Sequence, residues 1–164
     1  MEIEAVIDAV RDFLDDSGYR YEYNAERQFL QLGFKVDCKL KNVRVVIDFT
    51  KLGFIVYALP SLGVDKESMP EMMKFLTMAN YALLNGNFEL DVRDGEIRFK
   101  CWVGTWNIDS VSGEMVSEAL SVALIMIERY GNGIAAIAMG FSDAETEMAK
   151  LQNDAADQSE DEGS

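Results

Sequence analysis

The sequence predicts an α+β fold: an antiparallel sheet, made of a meander plus a hairpin, with three main helices in the order α-β-β-β-α-β-β-α. Three observations predict it. Apolar residues near the N-terminus follow three-and-four spacing, they switch to period two from Tyr19 to Leu59, and Ser68 to Val103 spells a capped helix, a glycine stop and a tight hairpin.

In the first helix Ile3, Val6, Ile7, Val10, Phe13 and Leu14 share one face, Glu4, Asp8, Arg11, Asp12 and Asp15 face away, and Ser17-Gly18 ends the element. The period-two runs are Tyr19, Tyr21 and Tyr23, then Leu30, Leu32, Phe34 and Val36, then Val43, Val45, Ile47 and Phe49. Asn24 to Gln28, Asp37 to Asn42 and Thr50 to Gly53 supply the turns of an antiparallel meander. The last run, Phe54 to Leu59, is apolar in both phases, so this strand is expected to be covered on both faces.

Ser68 and Glu71 have the spacing of a capping box, and Pro70 fits the first turn of the helix that follows. Met69, Met72, Met73, Leu76, Ala79 and Leu83 form its apolar stripe, widened by Phe75, Met78, Tyr81, Ala82 and Leu84, before Asn85-Gly86 stops it. Such a helix is too apolar for a one-sided surface position. A two-residue loop at Asp94-Gly95 would then set Val92 opposite Ile97, Leu90 opposite Phe99 and Phe88 opposite Cys101. On the other side it would pair Arg93 with Glu96, Asp91 with Arg98 and Glu89 with Lys100.

Ser110 or Ser112 can cap the third helix, whose stripe of Val116, Ala119, Leu120, Ala123, Leu124 and Ile127 runs to Tyr130. Gly131-Asn132-Gly133 is expected to kink or break it before Ile134 to Met139 resume, since each glycine costs about 1 kcal/mol relative to alanine. Ser142 with Glu145 marks a last short helix fading near Leu151. Residues 1–151 thus read as a single α+β domain, and 152–164 as an acidic disordered tail.

A length of 164 residues with 49% hydrophobic content suits one core. The net charge is −14, and the body stays strongly acidic without Asp154, Asp157, Glu160, Asp161 and Glu162 of the tail. Nucleic acid is a poor ligand for such a chain, because phosphate contacts need clustered Lys and Arg. Glu2, Glu4 and Asp8 stand where a signal peptide carries bases, and no unbroken run of about 18 apolar residues occurs, so the expectation is a cytoplasmic protein without a membrane partner. Cys38 and Cys101, without Cys-x-x-Cys spacing, read as reduced structural thiols.

The run Met78-Ala79-Asn80-Tyr81-Ala82-Leu83-Leu84-Asn85-Gly86-Asn87-Phe88-Glu89-Leu90-Asp91, followed by Asp94-Gly95-Glu96-Ile97, resembles the YbjN family of bacterial sensory transduction regulators. The resemblance covers roughly Met1 to Phe141 and is a fold signature rather than an active site. It implies a type III secretion chaperone-like scaffold, often dimeric, that binds proteins and has no known catalytic activity.

The absence of histidine removes the commonest general base, the Ser-His and Cys-His pairs and the usual zinc ligand. Gly131 to Ala136 has dinucleotide-fingerprint spacing, but a helix rather than a strand precedes it. The tail acids form no preformed oxygen cage for a cation. No catalytic residue, cofactor or metal is assigned. Met69, Met72, Met73 and Met78 read either as core filling or as an adaptable binding surface. Trp102 points to the charged side of its strand with Trp106 close behind, as an interface anchor or covered by a loop or by the first helix. Met69, Met73, Met78, Tyr81, Trp102 and Trp106 are therefore the interface candidates.

The leading expectation is a non-enzymatic protein-binding module, chaperone-like or regulatory, that forms a homodimer and takes a protein client, a basic one being favoured by the net charge. An enzyme using paired carboxylates and an acidic mimic of nucleic acid are the alternatives.

Overall fold

The computed structural model describes residues 2–81 and 83–161, with side chains described up to residue 154. Helix α1 (Ile3–Asp16) buries Val6, Ile7, Val10 and Leu14, the expected stripe, and ends at Ser17 and Gly18, whose φ is +73°. Strands β1 (Glu22–Asn24), β2 (Phe29–Lys35), β3 (Asn42–Thr50) and β4 (Gly53–Pro60) follow, then α2 (Met69–Tyr81), β5 (Asn87–Leu90), β6 (Ile97–Gly104), α3 (Gly113–Ala138) and α4 (Ala144–Asp161). One strand and one helix therefore exceed the expected order. Ala82, counted in the apolar set of α2, lies outside the described residues.

All six strands form a single antiparallel sheet in the order β1-β2-β3-β4-β6-β5. Alternation decides which side of it is dry. Leu30, Leu32, Val45, Ile47, Phe54, Val56, Ala58, Phe99 and Cys101 are buried against the helices, with α1 on β3 and β4, α3 on β4 and β6, and α2 beside β5. Helix α4 packs on α2 and α3, outside the sheet. Among the described residues the helices lie on one face of the sheet, and none of these elements covers β4 on its second face, contrary to the expectation of cover on both.

The hairpin differs from expectation by two residues. Leu90 pairs with Ile97, Phe88 with Phe99 and Glu89 with Arg98, so the loop spans 91–96 rather than 94–95. A two-residue slip keeps the same side chains on the same face, which is why the core side of the hairpin was still correctly placed. The longer loop is held by its own polar groups: the Asp91 carboxylate accepts from the Arg93 backbone N–H (2.9 Å), and Asp94 accepts from the Glu96 N–H (3.0 Å). Gly95, with φ +81°, accepts at its carbonyl from the Val64 N–H (3.0 Å), and a Cβ there would lie 1.9 Å from the Val64 oxygen. Only glycine fits that crossing. Of the expected charge ladder, Glu89 takes both Arg98 (2.6 Å) and Lys100 (2.7 Å), while Asp91 pairs with Arg93 inside the loop (2.5 Å).

The outer edge of β5 is closed by a side chain. Asn80 of α2 accepts from the Phe88 N–H (2.7 Å) and donates to the Phe88 carbonyl (3.0 Å), satisfying both groups that an incoming strand would need.

Helix α3 does not break at Gly131-Asn132-Gly133. A Cβ at Gly131 would stand 2.6 Å from the Cys38 sulfur, and one at Gly133 2.5 Å from the Phe75 ring, so the glycines permit close packing rather than a kink. The Asn132 side chain accepts from the Lys39 N–H (2.9 Å), and Ser112 caps the helix start by accepting from the Met115 N–H (3.3 Å). By length and composition α3 could cross a bilayer, which a criterion of unbroken apolar residues does not register; its buried stripe packs on the sheet as the core helix.

The capping box at α2 is not closed. Glu71 turns away and accepts from the Ala144 N–H (2.9 Å) at the start of α4, while Asp143, not Ser142, caps that helix through the Thr146 N–H (2.8 Å). Fixed there, α4 continues past Leu151 to Asp161, into the stretch expected to be disordered; no glycine or proline interrupts it. Residues 162–164 of that stretch lie outside the described residues.

Candidate protein-interaction surface

The second phase of the strand alternation builds the open face. Register places Phe29, Asp48, Ile55 and Trp102 in one row across the sheet and Gln31, Val46, Tyr57 and Lys100 in the next, with Gly33, Arg44 and Leu59 beside them. Phe29, Val46, Ile55 and Tyr57 are half-buried by one another, Leu59 is buried, and no helix lies above them. A central apolar strip with a polar rim is the anatomy of a recognition surface.

Two charged groups shape its middle. The Arg98 guanidinium stacks over the Tyr57 ring, 4.4 Å from its centroid, while holding Glu89. Burial alone would raise the Glu89 carboxyl, but its hydrogen bonds to Lys100 and Arg98 outweigh that and hold it below its ordinary value. Asp48 has no such partner, and partial desolvation raises it.

At one end of the face Trp102 and Trp106 stack on each other, centroids 4.9 Å apart at 31°. Gly104 makes this stack possible, since a Cβ there would meet the Trp106 ring at 2.5 Å. The pair stays 41% and 56% exposed, which decides against a covering loop.

The structure does not bring the six sequence candidates together. Trp102 and Trp106 form one site, but Met69 and Met78 of α2 pack against the core, and the fully buried Met72 shows that most of the methionine stripe is core filling. Met73 is half-exposed on α2, and Tyr81, almost wholly exposed, lies at the C-terminal end of that helix. Helix α2 is not left over-apolar: α3 and α4 cover it. Phe29, Val46, Arg44 and Arg98 were missed, because their residue types are ordinary for a half-wet strand face. The double-phase apolarity of Phe54 to Leu59 did mark Ile55, Tyr57 and Leu59.

Glu71, Asp143 and Glu145 bring carboxylate oxygens within 4.8 Å of one another. Each is engaged structurally, Glu71 and Asp143 as caps of α4 and Glu145 in an ion pair with Lys74. Both cysteines are buried and unbridged; burial raises the Cys101 thiol, whose sulfur donates to the Asn85 side chain (3.7 Å).

Helices on one face of a single antiparallel sheet, with aromatic residues on the other, define an α+β protein. The family model of YbjN, described as "Putative bacterial sensory transduction regulator", matches residues 7–136, and the chain belongs to that family. It is similar to the solved structure described as "Crystal structure of YbjN, a putative transcription regulator from E. coli", with a TM-score of 0.62 and 18% identity over 79% of this chain and 91% of the other. At that identity the likeness is one of fold. No curated protein matches the chain significantly.

Proposed function

We propose that this protein is a non-enzymatic regulatory module that acts by binding another protein on the open face of its sheet. One observation carries the reading: Phe29, Val46, Ile55, Tyr57 and Trp102 form an apolar strip over which the described residues place no covering layer. Membership of a family of regulators supports it. The carboxylates nearest one another serve as helix caps and ion pairs, which favours binding over acid–base chemistry.

Self-pairing was expected from two surplus apolar surfaces, α2 and β4. With α2 taken by α3 and α4, only the sheet face supports it. The test is affinity capture from host lysate with the wild-type chain, Ile55→Arg, Trp102→Ala and, as a control exposed on α3, Ile125→Arg. The reading expects a defined polypeptide that the two sheet-face changes release and the control retains. Capture unaffected by both sheet-face changes contradicts it.

A further inference from the structure

Gly33 lies inside β2 on the open face, where glycine weakens a strand unless something needs the space. Its own fold does not need it. Gly33 does not adopt a positive φ, and an added Cβ would meet nothing within 4 Å. It floors a depression of about 390 Å³ rimmed by Arg20, Tyr21, Glu22, Gln31 and Arg44. Arg44 also borders an adjoining depression of about 450 Å³ that holds Phe29, Val46, Tyr57 and Arg98 together with Asp48 and Glu96, so a trough crosses the strands with Arg44 at its middle.

The trough is richer in arginine than the rest of the molecule, with Arg20, Arg27, Arg44 and Arg98 lining it against Glu22, Asp48 and Glu96. The chain has 29 acids against 15 bases, yet among the described residues Arg20, Arg27 and Arg44, all exposed and all on or beside this face, form no ion pair. Glu22, the acid nearest Gly33, is held by the Gln31 amide (2.5 Å). Unpaired guanidinium groups flanking an apolar floor are suited to carboxylates carried on a chain with apolar side chains.

We propose that the trough binds an extended acidic segment of a partner protein, its backbone passing over Gly33, its carboxylates meeting Arg20 and Arg44, and an apolar side chain settling between Phe29, Val46 and Tyr57. The proposal rests on the reading of the open face as the binding surface and replaces the basic client suggested by net charge.

The experiment is selection of a random dodecapeptide display library on the full chain, followed by fluorescence anisotropy with the selected peptides. Acid-rich sequences carrying aromatic or aliphatic residues are expected, with binding that falls at least tenfold in Arg44→Glu and in Gly33→Val and weakens as salt rises. Lys66→Glu, the same charge change in the exposed loop before α2, should leave it unchanged. Gly33→Val should melt no lower than wild type, so its lost binding is not unfolding. Basic or neutral peptides that need Trp102 but ignore Arg44→Glu would overturn the acidic segment and leave the open face standing as the binding surface. Selection of nothing, or of peptides indifferent to Trp102→Ala, Arg44→Glu and Gly33→Val alike, would overturn both. A dimer in sedimentation that Arg44→Glu or Gly33→Val dissolves would assign the face to a second copy and refute the proposal.

Discussion

The two faces of this sheet are made by the same strands and the same alternation, yet one is sealed and the other is open. On the sealed face Phe54, Val56, Phe99 and Cys101 lie at 0% exposure under three helices; on the open face Ile55, Tyr57 and Trp102, their immediate neighbours in sequence, remain partly wet. The difference teaches that apolar content does not by itself locate a core. A residue adds its full burial energy only where a second layer arrives, and the strip without one is the surface to which the proposed function assigns a partner.

Substitutions in pairs sharpen this contrast. Phe99→Ala, which removes a ring stacked edge-on against Phe88 at 5.0 Å, should cost about 3–5 kcal/mol in urea unfolding. Asn80→Ala leaves the Phe88 N–H without its acceptor and the Phe88 carbonyl with only the Asn87 side chain (3.3 Å), and should cost about 1–3 kcal/mol. It should also raise light scattering with concentration, as the β5 edge becomes available to other strands. Gly133→Ala, which helix propensity alone would favour, should instead cost about 1–3 kcal/mol through its contact with Phe75. Trp102→Ala, on the open face, should cost less than about 1 kcal/mol while abolishing partner capture. A large stability loss at Trp102 with a small one at Phe99 would invert the account.

Acid should separate regions too. Burial alone would raise Glu147, but hydrogen bonds from Lys150 and Ser142 hold it below its ordinary 4.5. A depressed carboxylate stabilises above its ordinary value and loses that contribution as pH falls through the lowered one, so α4 amides should lose hydrogen-exchange protection as pH falls below about 4.5, and less so in Glu147→Gln. Asp91, held down to about 2 by Arg93, should keep the hairpin loop intact to lower pH.

Much of the fold was legible because periodicity reports burial directly. The α1 stripe, the meander and the core side of the hairpin followed from spacing. Two expectations failed where a tertiary contact overrode a local signal, since Gly131 and Gly133 served packing against Cys38 and Phe75 and Glu71 capped another helix; the hairpin failed locally, because Asp91 accepts from the Arg93 N–H within a loop wider than Asp94-Gly95. The site was half legible. Trp102 and the double-phase strand pointed to it, whereas the methionines of α2 pointed into the core, and Gly33 with Arg44 carried no signal until the register placed them together.

The most direct measurement is site-specific photo-crosslinking in cells, with a benzophenone side chain at position 102 on the open face and, separately, at position 125 on α3. The account predicts a discrete covalent adduct with another polypeptide from position 102 and none from position 125. Adducts from 125 alone, or none from 102, would contradict it.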